Sequence, residues 1–257
     1  MRTFKYIRIL ILLIVLGGAY LYVKHQHEAV RAWDAPLQIT LYPVAGDNDP
    51  ATQDYISHLD PATFQPIADF LQAQATRYNI LIDPVVQINL GPQISEAPPM
   101  PDADASMFGA ILWSLELRYW AFRHSPDFSA PGIRIYLVYY APQQTPILDS
   151  SLASAKDLIA VANVFASDAQ AAENNIVITH EFLHTLGATD KYDLSTLLPL
   201  YPQGYGDPNQ QPLLPQTSAE IMAGRMTIED GKAVMPASLD QCVIGPQTAQ
   251  EINWTSG

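Results

Sequence analysis

The chain has 257 residues, 48% of them hydrophobic, 10% aromatic and only 15% charged, enough apolar material for one well-packed core or two small ones and too much for a wholly disordered protein. Its charge is lopsided: Arg2, Lys5, Arg8 and Lys24 precede position 26 without an acid among them, leaving nine basic against 26 acidic residues beyond it, net −17, within a total of −13. A body that negative repels phosphate backbones and excludes nucleic acid as a partner, and a single Cys, Cys242, excludes an intramolecular disulfide framework and a Cys-rich zinc site.

The first element is an uncharged apolar run, residues 9–23 (ILILLIVLGGAYLYV), behind a basic segment 1–8 and ahead of Lys24. This is the layout of an export signal, and the basic flank places residues 1–8 in the cytoplasm. An Ala-x-Ala cleavage site is missing after the run, the best substitute being Val30-Arg31-Ala32. The expectation is an uncleaved signal anchor that spans the membrane, with the rest of the chain outside (periplasmic or extracellular), or secreted if the segment is cleaved. Residues 24–36 read as a polar stalk ending at Pro36, and 37–257 as a single catalytic domain.

Within that domain, Leu37 to Tyr42 alternates with period two as a half-buried strand does, and Gly46 to Pro50 breaks it. Residues 61–79 have helical spacing with Asp60 as N-cap and Pro61 in the first turn. A second strand covers 84–90, a long helix 105–123, a third strand 133–140 and a fourth 158–165. On the long helix, Trp113, Tyr119 and Trp120 have the spacing of core aromatics, with a cleft lining as the alternative. This order predicts an α+β domain, a mixed sheet with helices packed on it.

Residues 175–193 carry the chemistry. His180-Glu181-Phe182-Leu183-His184 is H-E-x-x-H, and on a helix residues four apart share a face, so both imidazoles can point at one ion while Glu181 stands beside them. The neighbours Ile176, Val177, Ile178, Phe182, Leu183 and Leu186 are apolar, so the helix is expected to be buried, where two imidazoles and a carboxylate are costly without a metal. A catalytic zinc takes three protein ligands and keeps a position for water. No His follows His184; Gly187 can end the helix and fold the chain back, which makes Asp190 the favoured third ligand. Glu220 from a later segment and Asp193, otherwise a turn residue, are the alternatives.

The whole motif, H-E-x-x-H-x-x-G-x-x-D, resembles that of the metzincin clan of zinc endopeptidases, in the snapalysin-like variant with Asp190 where most members have a third His. The resemblance covers about residues 175–257. It implies a zincin-like fold: a twisted mixed sheet with backing helices, an active-site helix, a turn with a Met beneath the metal, and a C-terminal helix over 239–252. It divides the domain into an upper part, 37–187, and a lower part, 188–257. It makes Met222 the turn methionine, with Met226 or Met235 as fallbacks. Gly224 stands where some members have a Tyr, which leaves Tyr192 as the residue nearest to hand for supporting the transition state. The function implied is zinc-dependent hydrolysis of polypeptide substrates with Glu181 as general base. Alternatives are a catalytically silent zinc-binding scaffold and an amidase on a cell-wall or small substrate. Calcium as a structural ion is a weaker expectation at Asp47-Asn48-Asp49, Asp102-x-Asp104 and Asp207-x-Asn209, none of which has a complete oxygen cage. The sequence does not speak to oligomeric state.

Overall fold

The computed structural model describes residues 2–101, 107–125, 132–149, 151–155 and 157–255. Helix α1 (Arg2–Ala32) precedes strand β1 (Leu37–Ala45), helix α2 (Pro50–Ser57), helix α3 (Gln65–Arg77), strand β2 (Val86–Leu90), helix α4 (Met107–His124), strands β3 (Ile133–Tyr140), β4 (Leu152–Ser154) and β5 (Ile159–Phe165), and helix α5 (Ala171–Thr185). The C-terminal part holds short strands β6 (Ala219–Glu220), β7 (Met226–Glu229), β8 (Lys232–Val234) and β9 (Cys242–Val243), then helix α6 (Pro246–Glu251).

The domain is mixed α+β around one five-stranded sheet in the order β2-β1-β3-β5-β4. All pairings are parallel except that of β4, which runs antiparallel along β5 with Leu152 opposite Val161. Parallel strands covered on both faces read as continuous apolar runs, and β3 shows the cause. Ile135, Leu137 and Tyr139 face the core shared with α3 and α5, whereas Tyr136 and Val138 face Leu117, Trp120 and Ala121 of α4. Of the aromatics on α4, Trp120 is buried, Trp113 is half-buried with its indole N–H on the Pro99 carbonyl, and Tyr119 is exposed.

The strands expected from alternation lie where the sequence put them, β1 running on through Pro43 to Ala45. Asp60 caps Pro61–Phe64, a 3-10 turn that leads into α3, by accepting from Ala62 N. Helix α2 falls just after the predicted break: Asp49 caps it through Ala51 N with Pro50 in the first turn, a pattern that begins a helix as readily as it ends a strand. The expected calcium carboxylates serve turns instead. Asp47 accepts from Asp49 N and Ala141 N, and Asp207 from Asn209 N; Asp102 and Asp104 lie outside the described residues.

The amino-terminal segment needs correction. Among the described residues no helix is long and apolar enough to cross a membrane, so the signal anchor, the transmembrane helix and the membrane-anchored placement of the domain do not stand. Fifteen residues of helix rise only about 22 Å, against a hydrocarbon core of about 30 Å, and Arg8 and Lys24 bound the run. Of residues 24–36, 24–32 continue α1, and the end of that helix docks on the domain. Val30 and Trp33 are buried, the Trp33 indole donates to Ile252 O at 2.7 Å and packs edge-on against Trp254, and Arg31 Nη2 donates to Glu251 O at 2.6 Å.

Candidate metal centre

Helix α5 is fixed to the sheet before the histidines are reached. Buried Asn174 exchanges two hydrogen bonds with the backbone of Phe165 at the end of β5, and Asn175 Nδ2 donates to Thr63 O. Ile178 and Phe182 then enter the core, turning His180 and His184 to the opposite, partly open face. Gly187 N donates to His184 O and Ala188 N to Leu183 O, the paired bonds of a glycine-terminated helix. Gly187 has φ +99°, a backbone setting that costs a side chain about 1–3 kcal/mol. Gly187→Ala is therefore expected to lower the thermal midpoint by several degrees, as calorimetry would read; an unchanged midpoint would show that the loop relaxes freely.

Both rings are oriented by backbone carbonyls. His180 Nδ1 lies 3.0 Å from Ile221 O and His184 Nδ1 2.8 Å from Ala188 O. A carbonyl only accepts, so each Nδ1 carries the proton and each Nε2 presents a lone pair. The two Nε2 atoms are 3.0 Å apart, and Asp190 Oδ1 lies 3.1 and 3.2 Å from them, yet this buried oxygen makes no well-formed hydrogen bond. Three electron-rich atoms at such spacing repel unless a cation lies between them. The centre of the triangle is about 1.8 Å from each corner, slightly inside the 2.0–2.2 Å reach of zinc to His or carboxylate.

Glu181 completes the group: its ligand atom and those of His180 and His184 all lie within 4.8 Å of one another, an arrangement that could hold a metal ion. Its side chain is buried and Oε2 has no hydrogen-bond partner among the described residues. Burial pushes the Glu181 carboxyl up, against the pull of both imidazoles. Burial also works to lower the His180 imidazole, but Asp190, Glu181 and the Ile221 carbonyl outweigh it and raise that group. For Asp190 burial acts upward and loses to the two imidazoles, which hold the carboxyl far below the usual range.

The turn after β6 underlies this cluster. Ala223 N and Gly224 N both bond to Glu220 O, Ile221 O accepts from His180, and Met222 O accepts from Lys191 N. Met222 is fully buried in the main core. Met226 and Met235, the fallbacks, lie in and after the β7–β8 hairpin. Glu220, an alternative ligand on sequence grounds, is engaged elsewhere: its carboxylate accepts from Met222 N, Ala223 N, Gly245 N and Thr248 Oγ1 at 2.6–3.2 Å, binding the turn to α6. Asp193 likewise accepts from the N–H and hydroxyl groups of Ser195 and Thr196, shaping the loop that follows.

Two residues that the sequence reading passed over secure Asp190. Lys191 is buried, and its ammonium donates to both oxygens of Glu251 and to Thr189 O and Oγ1; Glu251 also accepts from Thr189 N. A lysine inside a run of loop residues was the available signal, and its partner 60 residues away left no trace in spacing. Tyr192 lies with His180 and Glu181 on the wall of a cleft of about 340 Å³, its ring centroid 6.5 Å from that of His180. Burial, then Asp190 and Glu181, raise its hydroxyl. A larger cavity of about 1110 Å³, between α6 and the loop 202–218, touches none of the histidines. A scan against models of known protein families finds no match to this chain, and a search of the curated proteins finds none either.

Proposed function

We propose that the protein is a zinc-dependent peptidase of the metzincin kind, and that His180, His184 and Asp190 hold the ion while Glu181 acts as general base. The observation that carries this reading is the pairing of two different carboxylates with one histidine pair. Asp190 Oδ1 meets both Nε2 atoms, whereas the buried Glu181 Oε2 lies beside them with no partner. A purely structural site needs the first carboxylate and gains nothing from the second, which favours the enzyme over the silent scaffold. The antiparallel edge strand β4 and the turn carrying Met222 fit the zincin-like architecture implied by the motif.

A zinc ion at this site supplies Lewis acidity toward water and toward the scissile carbonyl. The chain's own residues do the rest. Ile221 O and Ala188 O keep both rings in the ligating tautomer. Glu181, whose carboxyl is pushed up by burial, takes the proton of the attacking water and returns it to the leaving amine. Tyr192, on the same cleft wall, is the residue that would support the developing oxyanion with a hydrogen bond from its hydroxyl.

The test is metal dependence. Purified full-length protein is expected to cleave casein, to stop when dialysed against 1,10-phenanthroline, and to recover on addition of about one equivalent of zinc. Casein cleavage that persists in metal-free protein, or zinc-loaded protein that cleaves neither casein nor a mixed peptide library, overturns the reading.

A further inference from the structure

The cleft beside His180 and Glu181 holds an arginine that the proposed chemistry does not use. Gly224 leaves the turn with φ +65°, and the next residue, Arg225, lines the same cleft as His180, Glu181 and Tyr192. It is half-buried, and its charge is felt at the Tyr192 hydroxyl, which it pulls down against the larger effect of burial. Among the described residues no carboxylate comes within 4.0 Å of its guanidinium, although the chain carries 26 acids. The carboxylates on the cleft wall are Glu181 and Asp149, the latter an exposed rim residue. The rest of the lining is mostly apolar, with Leu148, Ile176, Val177, Leu197 and Met235 beside the polar Ser151 and Asn163.

A half-desolvated guanidinium with no internal counter-ion is costly unless a ligand supplies one. Arg is also the side chain whose fork matches a carboxylate in two parallel hydrogen bonds. We propose that Arg225 is the specificity-determining residue of the cleft and that it recognises a carboxylate of the substrate close to the scissile bond. This inference rests on the peptidase reading above. The carboxylate has two sources with the same chemistry, an acidic side chain or the substrate's own C-terminus. The net −17 body repels acidic peptides at long range, so a local cation in the cleft confers selectivity at contact.

The experiment uses zinc-loaded full-length protein and matched peptides in which a single Glu or Gln is moved through the positions around the cleaved bond, each peptide made with a free and an amidated C-terminus. Wild type is expected to show a kcat/KM at least tenfold higher for the carboxylate-bearing member of the decisive pair. Arg225→Gln is expected to bring that ratio near one, and Arg225→Lys to keep part of it, at unchanged zinc content. A preference that follows Glu despite amidation assigns the side chain; one lost on amidation assigns the C-terminus. A second readout does not need turnover: binding of the same peptides to zinc-loaded Glu181→Gln protein, by calorimetry, is expected to weaken about tenfold for the carboxylate member when Arg225→Gln is added. Hydrolysis without preference, or a preference that survives Arg225→Gln, overturns the role of Arg225 and leaves the peptidase reading intact. Peptides that bind in an Arg225-dependent way and are never cleaved sink the peptidase reading, and with it the role of Arg225 in choosing a substrate, leaving only a carboxylate-binding cleft. Failure of every peptide to bind or react overturns both.

Discussion

Glu181→Gln protein is expected to bind zinc at about one equivalent per chain and to cleave casein at least about a thousandfold more slowly than wild type. The substitution keeps the size and burial of the side chain and removes its ability to take a proton, and general base catalysis contributes roughly 10²- to 10⁴-fold. The fold should not suffer, because Oε2 makes no hydrogen bond that the amide would break, and both imidazoles keep their carbonyl partners. Metal analysis and a casein assay on the same preparation separate the outcomes. Full activity in Glu181→Gln would remove Glu181 from the reaction. Loss of zinc together with activity would make it a ligand, a role that its proximity to His180 and His184 also allows.

The second large effect concerns the two acids that competed for the place of third ligand. Asp190→Ala is expected to weaken zinc binding by about a hundredfold or more while leaving the thermal midpoint measured in chelator close to that of wild type, since Asp190 is only partly buried and its ion pairs among the described residues are with the two rings. Glu220→Ala is expected to do the reverse first: it strands Met222 N, Gly245 N and Thr248 Oγ1 in a fully buried place, Ala223 N keeping Glu220 O, and unsatisfied buried donors cost about 1–3 kcal/mol each. Its midpoint should therefore drop by many degrees in chelator, where no metal effect can enter. Titration of both variants with zinc, beside melting curves in chelator, checks the pair. Tight zinc binding by Asp190→Ala would reject Asp190 as ligand, and a wild-type midpoint for Glu220→Ala would reject the role of Glu220 in binding the turn to α6.

Much of the site could be read in the sequence because its central part is local. His180, Glu181 and His184 are held by helical periodicity, and Gly187 and Asp190 follow within one turn and one loop. The sheet was legible for a related reason: β3 and β5 are buried on both faces, so their apolar runs stand out from the chain, and β1 begins with the alternation of a half-buried strand. Short-range pattern could not supply the rest. Strand β4 is three residues at an edge and is defined only by its partner β5. The role of Glu220 depends on donors as far as 28 positions away, and that of Lys191 on Glu251. Helix α2 had a visible start in Asp49-Pro50, but the same residues also suit a turn. The apolar run 9–23 resembles an export signal in composition, whereas its fifteen residues fall short of a span, a difference of length and not of pattern.

The Lys191–Glu251 pair has a consequence for when the centre comes into being. Residues are added from the amino end, so His180, Glu181 and His184 are made some 70 residues before Glu251. Until Glu251 has emerged, the Lys191 ammonium and Thr189 N lack their carboxylate, and the loop that carries Asp190 lacks that anchor. Arg31 and Trp33, synthesised near the beginning, also wait for Glu251 and Ile252. The nascent chain thus carries His180, Glu181 and His184 while the loop with Asp190 is still without this carboxylate, and the end of α1 finds its own partners at the same late step.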